Sequence, residues 1–105
     1  MTLEAAWAIV NARGQWNTPH NHLPSQWSGV LYLRVPEQPP VAHNGNLVIQ
    51  DPNPLGLHYR QPINAFIAPR NGGIFLFPAY LVHMVEPHDS DEDRIVLAFN
   101  ANIAG

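Results

Sequence analysis

The chain contains no cysteine, which excludes disulfides, thiolate nucleophiles, cysteine-bound zinc and iron–sulfur clusters together. It also has no lysine, and its five cations are arginines scattered at positions 13, 34, 60, 70 and 94, with a net charge of −3. Nucleic-acid binding needs clustered positive charge, so no nucleic-acid partner is expected. No apolar run approaches the roughly 18 residues of a membrane span, and the N-terminus lacks the basic start and small-residue cleavage site of a secretory signal. The chain therefore reads as soluble and cytoplasmic, with no membrane partner.

What is plentiful is punctuation. Eleven prolines and seven glycines in 105 residues interrupt the chain too often for long helices and predict an all-β protein. Short apolar runs are predicted as strands over Leu3–Ala12, around His20, and over Ser28–Val35, Leu47–Gln50, Leu55–Tyr59, Ile63–Ala68, Gly73–Phe77, Leu81–Val85 and Ile95–Ala101. The first of these suits helix and strand almost equally, and the alternation around Trp7 and Ile9 favours strand. Turn-forming residues separate the runs: Pro36 to Gly45, Asp51-Pro52-Asn53-Pro54, Asn71-Gly72-Gly73 and the acidic Glu86 to Asp93. Eight or nine short strands at regular spacing predict a sandwich or barrel, in a single domain over residues 1–105.

Histidine is prominent for a chain with only 12% charged residues: there are six, at 20, 22, 43, 58, 83 and 88. His20 and His22 stand two apart in Pro19-His20-Asn21-His22-Leu23-Pro24. On an extended strand that spacing turns both rings to one face, where they can approach one cation at about 2 Å. A third ligand has to come from elsewhere. His83 is the candidate, because it interrupts the apolar stretch from Phe75 to Val85, and its alternative is a core histidine bonded to the backbone. His43, His58 and His88 lie beside glycine, proline or acidic residues and are assigned to solvent.

Arg94 follows the acidic run and opens a segment in which Arg94, Val96, Ala98 and Asn100 share one strand face. It is either a surface ion pair with that run or a bidentate clamp for a carboxylate. Sequence separation leaves both open.

Taken in order, His20-x-His22, Ser28 to Leu33, Gly45 to Pro52, Pro69 to Pro78, His83 and Arg94 to Asn100 resemble the Fe(II)/2-oxoglutarate-dependent oxygenases. The match is to a microbial and phage-associated branch with His-x-His in place of the common His-x-Asp, and it covers about Trp7 to Asn100. The resemblance implies a double-stranded β-helix, a jelly-roll or cupin-like barrel, with metal inside. It places His20, His22 and His83 on Fe(II), and Arg94 on the distal carboxylate of the cosubstrate 2-oxoglutarate. Tyr32 would add a hydroxyl to that carboxylate, and Asn17 and Asn100 are further candidates for polar contacts. Such enzymes oxidise a substrate, here unknown, while 2-oxoglutarate is decarboxylated to succinate. Longer relatives carry additional N-terminal segments.

His22 is the departure from the family pattern. Three neutral imidazoles leave the site one unit more positive than the usual triad, so either the dianionic cosubstrate or a nearby carboxylate such as Asp51 or Glu86 is expected to compensate. Imidazole-rich sites also accept zinc or nickel. Two other readings are a cupin, in which Gly14, His20, His22 and Gln26 form the first motif, and a non-catalytic β-sandwich presenting Trp7, Trp16 and Trp27 as a platform. Gly72 and Gly73 fit the second cupin motif poorly. A dimer would cover the exposed sheet edges expected of so short a barrel.

Overall fold

Residues 94–100 alternate between two kinds of side chain, and the strand they form has two different faces. The computed structural model describes residues 2–36, 45–50 and 64–103. Eight strands run through them: β1 (Thr2–Asn11), β2 (Asn17–His20), β3 (Trp27–Arg34), β4 (Leu47–Gln50), β5 (Asn64–Ile67), β6 (Ile74–Pro78), β7 (His83–Val85) and β8 (Arg94–Asn102). They form two four-stranded sheets, in the orders β1-β8-β3-β6 and β2-β7-β4-β5.

The topology is that of one long hairpin rolled upon itself. First pairs with last, second with seventh, third with sixth and fourth with fifth, all antiparallel. Rolling the hairpin sends successive strands to opposite sheets except at its β4–β5 tip, giving an all-β double-stranded β-helix of jelly-roll type. Segments far apart in sequence are thereby brought into register. His20 pairs directly with His83, and Arg94 pairs with Asn11.

The register settles the ambiguity of the first segment. Thr2 to Asn11 is a strand because every second residue, Trp7, Ile9 and Asn11, lies opposite Ala98, Val96 and Arg94 of β8. Val30, Tyr32, Leu47, Ile49, Phe77, Val85 and Val96 form the core between the sheets, each such apolar side chain contributing about 1.5–3 kcal/mol on full burial. On the outer face of the first sheet, a Cβ at Gly29 would collide with the Phe99 ring opposite it. Glycine here leaves the space that the end of the aromatic ring occupies over the neighbouring strand. Val10, Ile74 and Leu76 of that face are exposed.

Two expectations need correction. His88 is not a solvent residue: it is buried, and its Nε2–H donates to the Asn11 carbonyl at 2.8 Å while Nδ1 accepts from the Ser90 amide at 3.2 Å. Both ring nitrogens are used, so His88 ties the acidic loop to the end of β1. The strand pairing of β2 also stops at His20, leaving His22 in the following turn rather than on the strand itself. The predicted strand at Leu55–Tyr59, the turn at Asp51–Pro54, and His43 and His58 lie outside the described residues. Among the described residues no helix is long and apolar enough to cross a membrane.

Candidate active site

His20 and His83 meet because their strands are neighbours in the second sheet, and their ring centroids are 4.3 Å apart. His22 reaches the same point from the turn. Its amide donates to the Ala79 carbonyl and its own carbonyl accepts from the Ser25 amide, both at 3.0 Å. The His22 ring lies 4.7 Å from that of His20 and 5.0 Å from that of His83. One nitrogen from each residue falls within 4.8 Å of the others, a spread that a shift of about an ångström per ring reduces to donor spacing around an ion with bonds of about 2 Å.

The backbone fixes how two of these rings present themselves. His20 Nδ1 donates to the Thr18 carbonyl at 2.6 Å, and His83 Nδ1 donates to the Leu81 carbonyl at 3.1 Å. A carbonyl can only accept, so the proton sits on Nδ1 and the Nε2 lone pair is left free. The same device, a carbonyl two residues earlier, serves both. Trp7 lies against His22 with centroids 5.6 Å apart, and Phe77 packs edge-on to His83 at 4.7 Å. Burial lowers the His83 pKa to about 4, the neighbouring His20 and His22 reinforcing the shift and the bond to Leu81 opposing it. His22 is lowered too, by burial first and His20 second. His83 is therefore neutral at pH 7, and burial pushes His22 in the same direction, toward the neutral form a metal ligand takes.

Arg94 stands in the same cavity and is 1% exposed. The acidic loop does not claim it. Asp89 and Asp91 pair with Arg13 at 3.4 and 3.1 Å, and Glu92 pairs with Arg34 at 3.1 Å. Instead the Arg94 guanidinium carbon lies 5.4 Å from the centre of the Tyr32 ring. Nε and Nη1 of Arg94 and the Tyr32 hydroxyl are buried without a hydrogen-bond partner among the described residues. Burial lowers the Arg94 pKa, with Tyr32 opposing the shift, yet a guanidinium stays charged. Burial also raises the Tyr32 pKa, against the pull of Arg94. A buried cation and hydroxyl left unpaired are costly, and donors so arranged fit an anionic group that supplies the missing acceptors.

Both groups of residues line one cavity of about 140 Å³. Its walls are otherwise mostly apolar, from Trp7, Ile9, Val30, Leu47 and Phe77. No carboxylate lines it among the described residues. Glu86 is not one of its lining residues, and Asp51 lies outside the described residues. Asn17 does line it, whereas the Asn100 side-chain Oδ1 accepts from the Ser28 hydroxyl at 3.0 Å.

Gln26 does not join the histidines: its amide donates to Asn102 at 2.8 Å and its side chain accepts from Ile103 at 2.6 Å. The three tryptophans make no single platform, because Trp7 lines the cavity while Trp27 lies on the opposite face of the same sheet. Sequence reasoning missed the packing of Trp7 on His22, whose only local signal was its inward position on β1. It also missed the Thr18 and Leu81 carbonyls, which no side-chain motif reveals.

Comparison with protein-family models gives a match over residues 5–100 to a family described as "Putative 2OG-Fe(II) oxygenase". The chain belongs to this 2OG-Fe(II) oxygenase family. Among solved structures, it is similar to an oxidoreductase of the 2OG-Fe(II) oxygenase family from Burkholderia pseudomallei (TM-score 0.72, 13% identity, 93% of this chain and 41% of that one). It is also similar to a Pseudomonas putida prolyl-4-hydroxylase (TM-score 0.71, 20% identity, 100% of this chain and 55% of that one). An RmlC-like cupin protein from Desulfovibrio desulfuricans shares the fold more distantly (TM-score 0.57, 16% identity, 95% and 78% coverage). A comparison with curated proteins finds no match. The chain thus spans about half the length of the two oxygenases. Membership of the family implies Fe(II) and 2-oxoglutarate in general terms. The donor chemistry fits both: three imidazoles with lone pairs to share, and a buried guanidinium beside a hydroxyl.

Proposed function

We propose that this chain carries the catalytic barrel of a mononuclear Fe(II)/2-oxoglutarate-dependent oxygenase. His20, His22 and His83 hold the metal in this reading, and Arg94 with Tyr32 binds the distal carboxylate of 2-oxoglutarate. The observation that carries it is the pairing of unlike ends within one cavity: three converging imidazoles at one, and the unpartnered Arg94 and Tyr32 donors at the other.

Bound iron supplies the oxidation of a substrate coupled to decarboxylation of 2-oxoglutarate to succinate. The chain's own residues orient and shield. Thr18 and Leu81 hold the protons of His20 and His83 on the nitrogens that face away from the metal. Arg94 meets a carboxylate through two parallel N–H donors, fixing the cosubstrate's direction as well as its affinity. Trp7 and Phe77 keep the ligand rings packed and limit water around them.

The test is succinate release from 2-oxoglutarate by the Fe(II)-loaded protein, with and without oxygen. The proposal expects oxygen-dependent succinate that Arg94→Ala abolishes at low 2-oxoglutarate. Tight metal binding with no succinate under any condition would leave a non-catalytic cupin-type metal protein.

A further inference from the structure

A divalent ion held by three neutral imidazoles keeps its full 2+ charge. Among the described residues, the charged side chain that lines the cavity around these histidines is Arg94, which is also positive, and no carboxylate lines it. The guanidinium packs over the face of the Tyr32 ring, whose quadrupole attracts a cation but carries no compensating charge, and the neutral Tyr32 hydroxyl beside it adds none. Two positive centres would then share one mostly apolar cavity, where like charges repel more strongly than in water. A carboxylate at position 22 would cancel one unit of that charge at its source. His22 cannot.

We propose that metal and dicarboxylate bind to this chain as a strongly coupled pair, because His22 leaves the cavity's positive charge for the bound dianion to balance. The inference rests on the metal and cosubstrate reading given above and adds how the two ligands depend on each other. One carboxylate of the dianion offsets charge at the ion and the other offsets charge at Arg94. Each ligand alone meets an unbalanced site: the ion is repelled by Arg94, and the dianion lacks its second cation. Thermodynamic linkage makes the effect reciprocal, so the factor by which 2-oxoglutarate tightens metal binding equals the factor by which metal tightens 2-oxoglutarate. Chelation gives some coupling with any ligand set. The part specific to this chain is the excess caused by histidine at position 22.

The experiment titrates Co(II) into the protein with and without saturating 2-oxoglutarate, following cobalt absorption, for the native chain and for His22→Asp. The expected result is a coupling factor at least tenfold larger in the native chain, a difference of about 1.4 kcal/mol, and tighter binding of Co(II) alone by His22→Asp. Equal factors in the two proteins would overturn the coupling while leaving the metal and cosubstrate reading intact. Absence of Co(II) binding to the native chain under both conditions would overturn that reading itself. Arg94→Gln gives a second measurement that does not depend on the folding of His22→Asp. Removing its charge is expected to tighten Co(II) binding several-fold without 2-oxoglutarate and to reduce the coupling; unchanged or weaker Co(II) binding would overturn the electrostatic argument.

Discussion

The two ends of the cavity are built on opposite principles. At the histidine end, His20 and His83 are held by backbone carbonyls and all three rings by neighbouring rings, so the donors are aimed before any ion arrives. At the arginine end the side chains are more deeply buried than His20 and His22, yet Nε and Nη1 of Arg94 and the hydroxyl of Tyr32 lack partners among the described residues. One end is preorganised by satisfied bonds, and the other stores an unsatisfied charge. A fold tolerates the second arrangement where binding something else repays it.

Breaking the histidine end has the largest expected effect. His83→Ala removes the best buried of the three donors, and a metal titration is expected to show at least a hundredfold loss of affinity, with Arg94 untouched. Unchanged occupancy would remove His83 from the site.

The arginine end responds in the opposite sense for stability. Arg94→Met replaces an unpaired buried cation with a side chain that packs, and is expected to raise unfolding stability by about 1–3 kcal/mol while abolishing 2-oxoglutarate binding. Metal occupancy at saturating ion is retained. A loss of stability in a denaturant melt would mean that the guanidinium has a structural partner after all.

A control sits outside the cavity. His88→Ala cuts the bond to the Asn11 carbonyl and leaves a buried acceptor, and is expected to cost about 1–3 kcal/mol with metal affinity unchanged. A matching loss of metal would connect the acidic loop to the site.

Acid titration gives the smallest effect near neutrality. His83 has a folded pKa of about 4, below its ordinary value of 6.5, so the unfolded chain takes up the proton first as pH falls. Metal-free stability from this group is therefore fully present above about pH 6.5 and is lost progressively down to about pH 4. Chemical denaturation of the native chain and His83→Gln across that window checks it; identical pH slopes would contradict the shift.

The sequence carried most of the architecture because turn residues mark the strand ends and the apolar runs between them are short. It also carried the histidines, since His-x-His and an imidazole in an apolar stretch are local signals. Arg94 was legible only as a choice: its neighbours in sequence are acids, and the structure turns it away from them into the barrel while Arg13 and Arg34 take those acids. His88 was misread for the same reason in reverse. Its flanking residues are polar, but the carbonyl that buries it belongs to Asn11, at the far end of the sequence. Contacts that depend on the rolled hairpin leave no mark in the residues beside them.

The convergence of His20, His22 and His83 on one ion is tested most directly by adding Mn(II) in substoichiometric steps to protein with labelled histidine rings. Paramagnetic broadening is expected to be strongest, and equally strong, at the ring resonances of those three, with His88 broadened less. Broadening that spares any of the three, or is as strong at His88 as at them, would contradict the account.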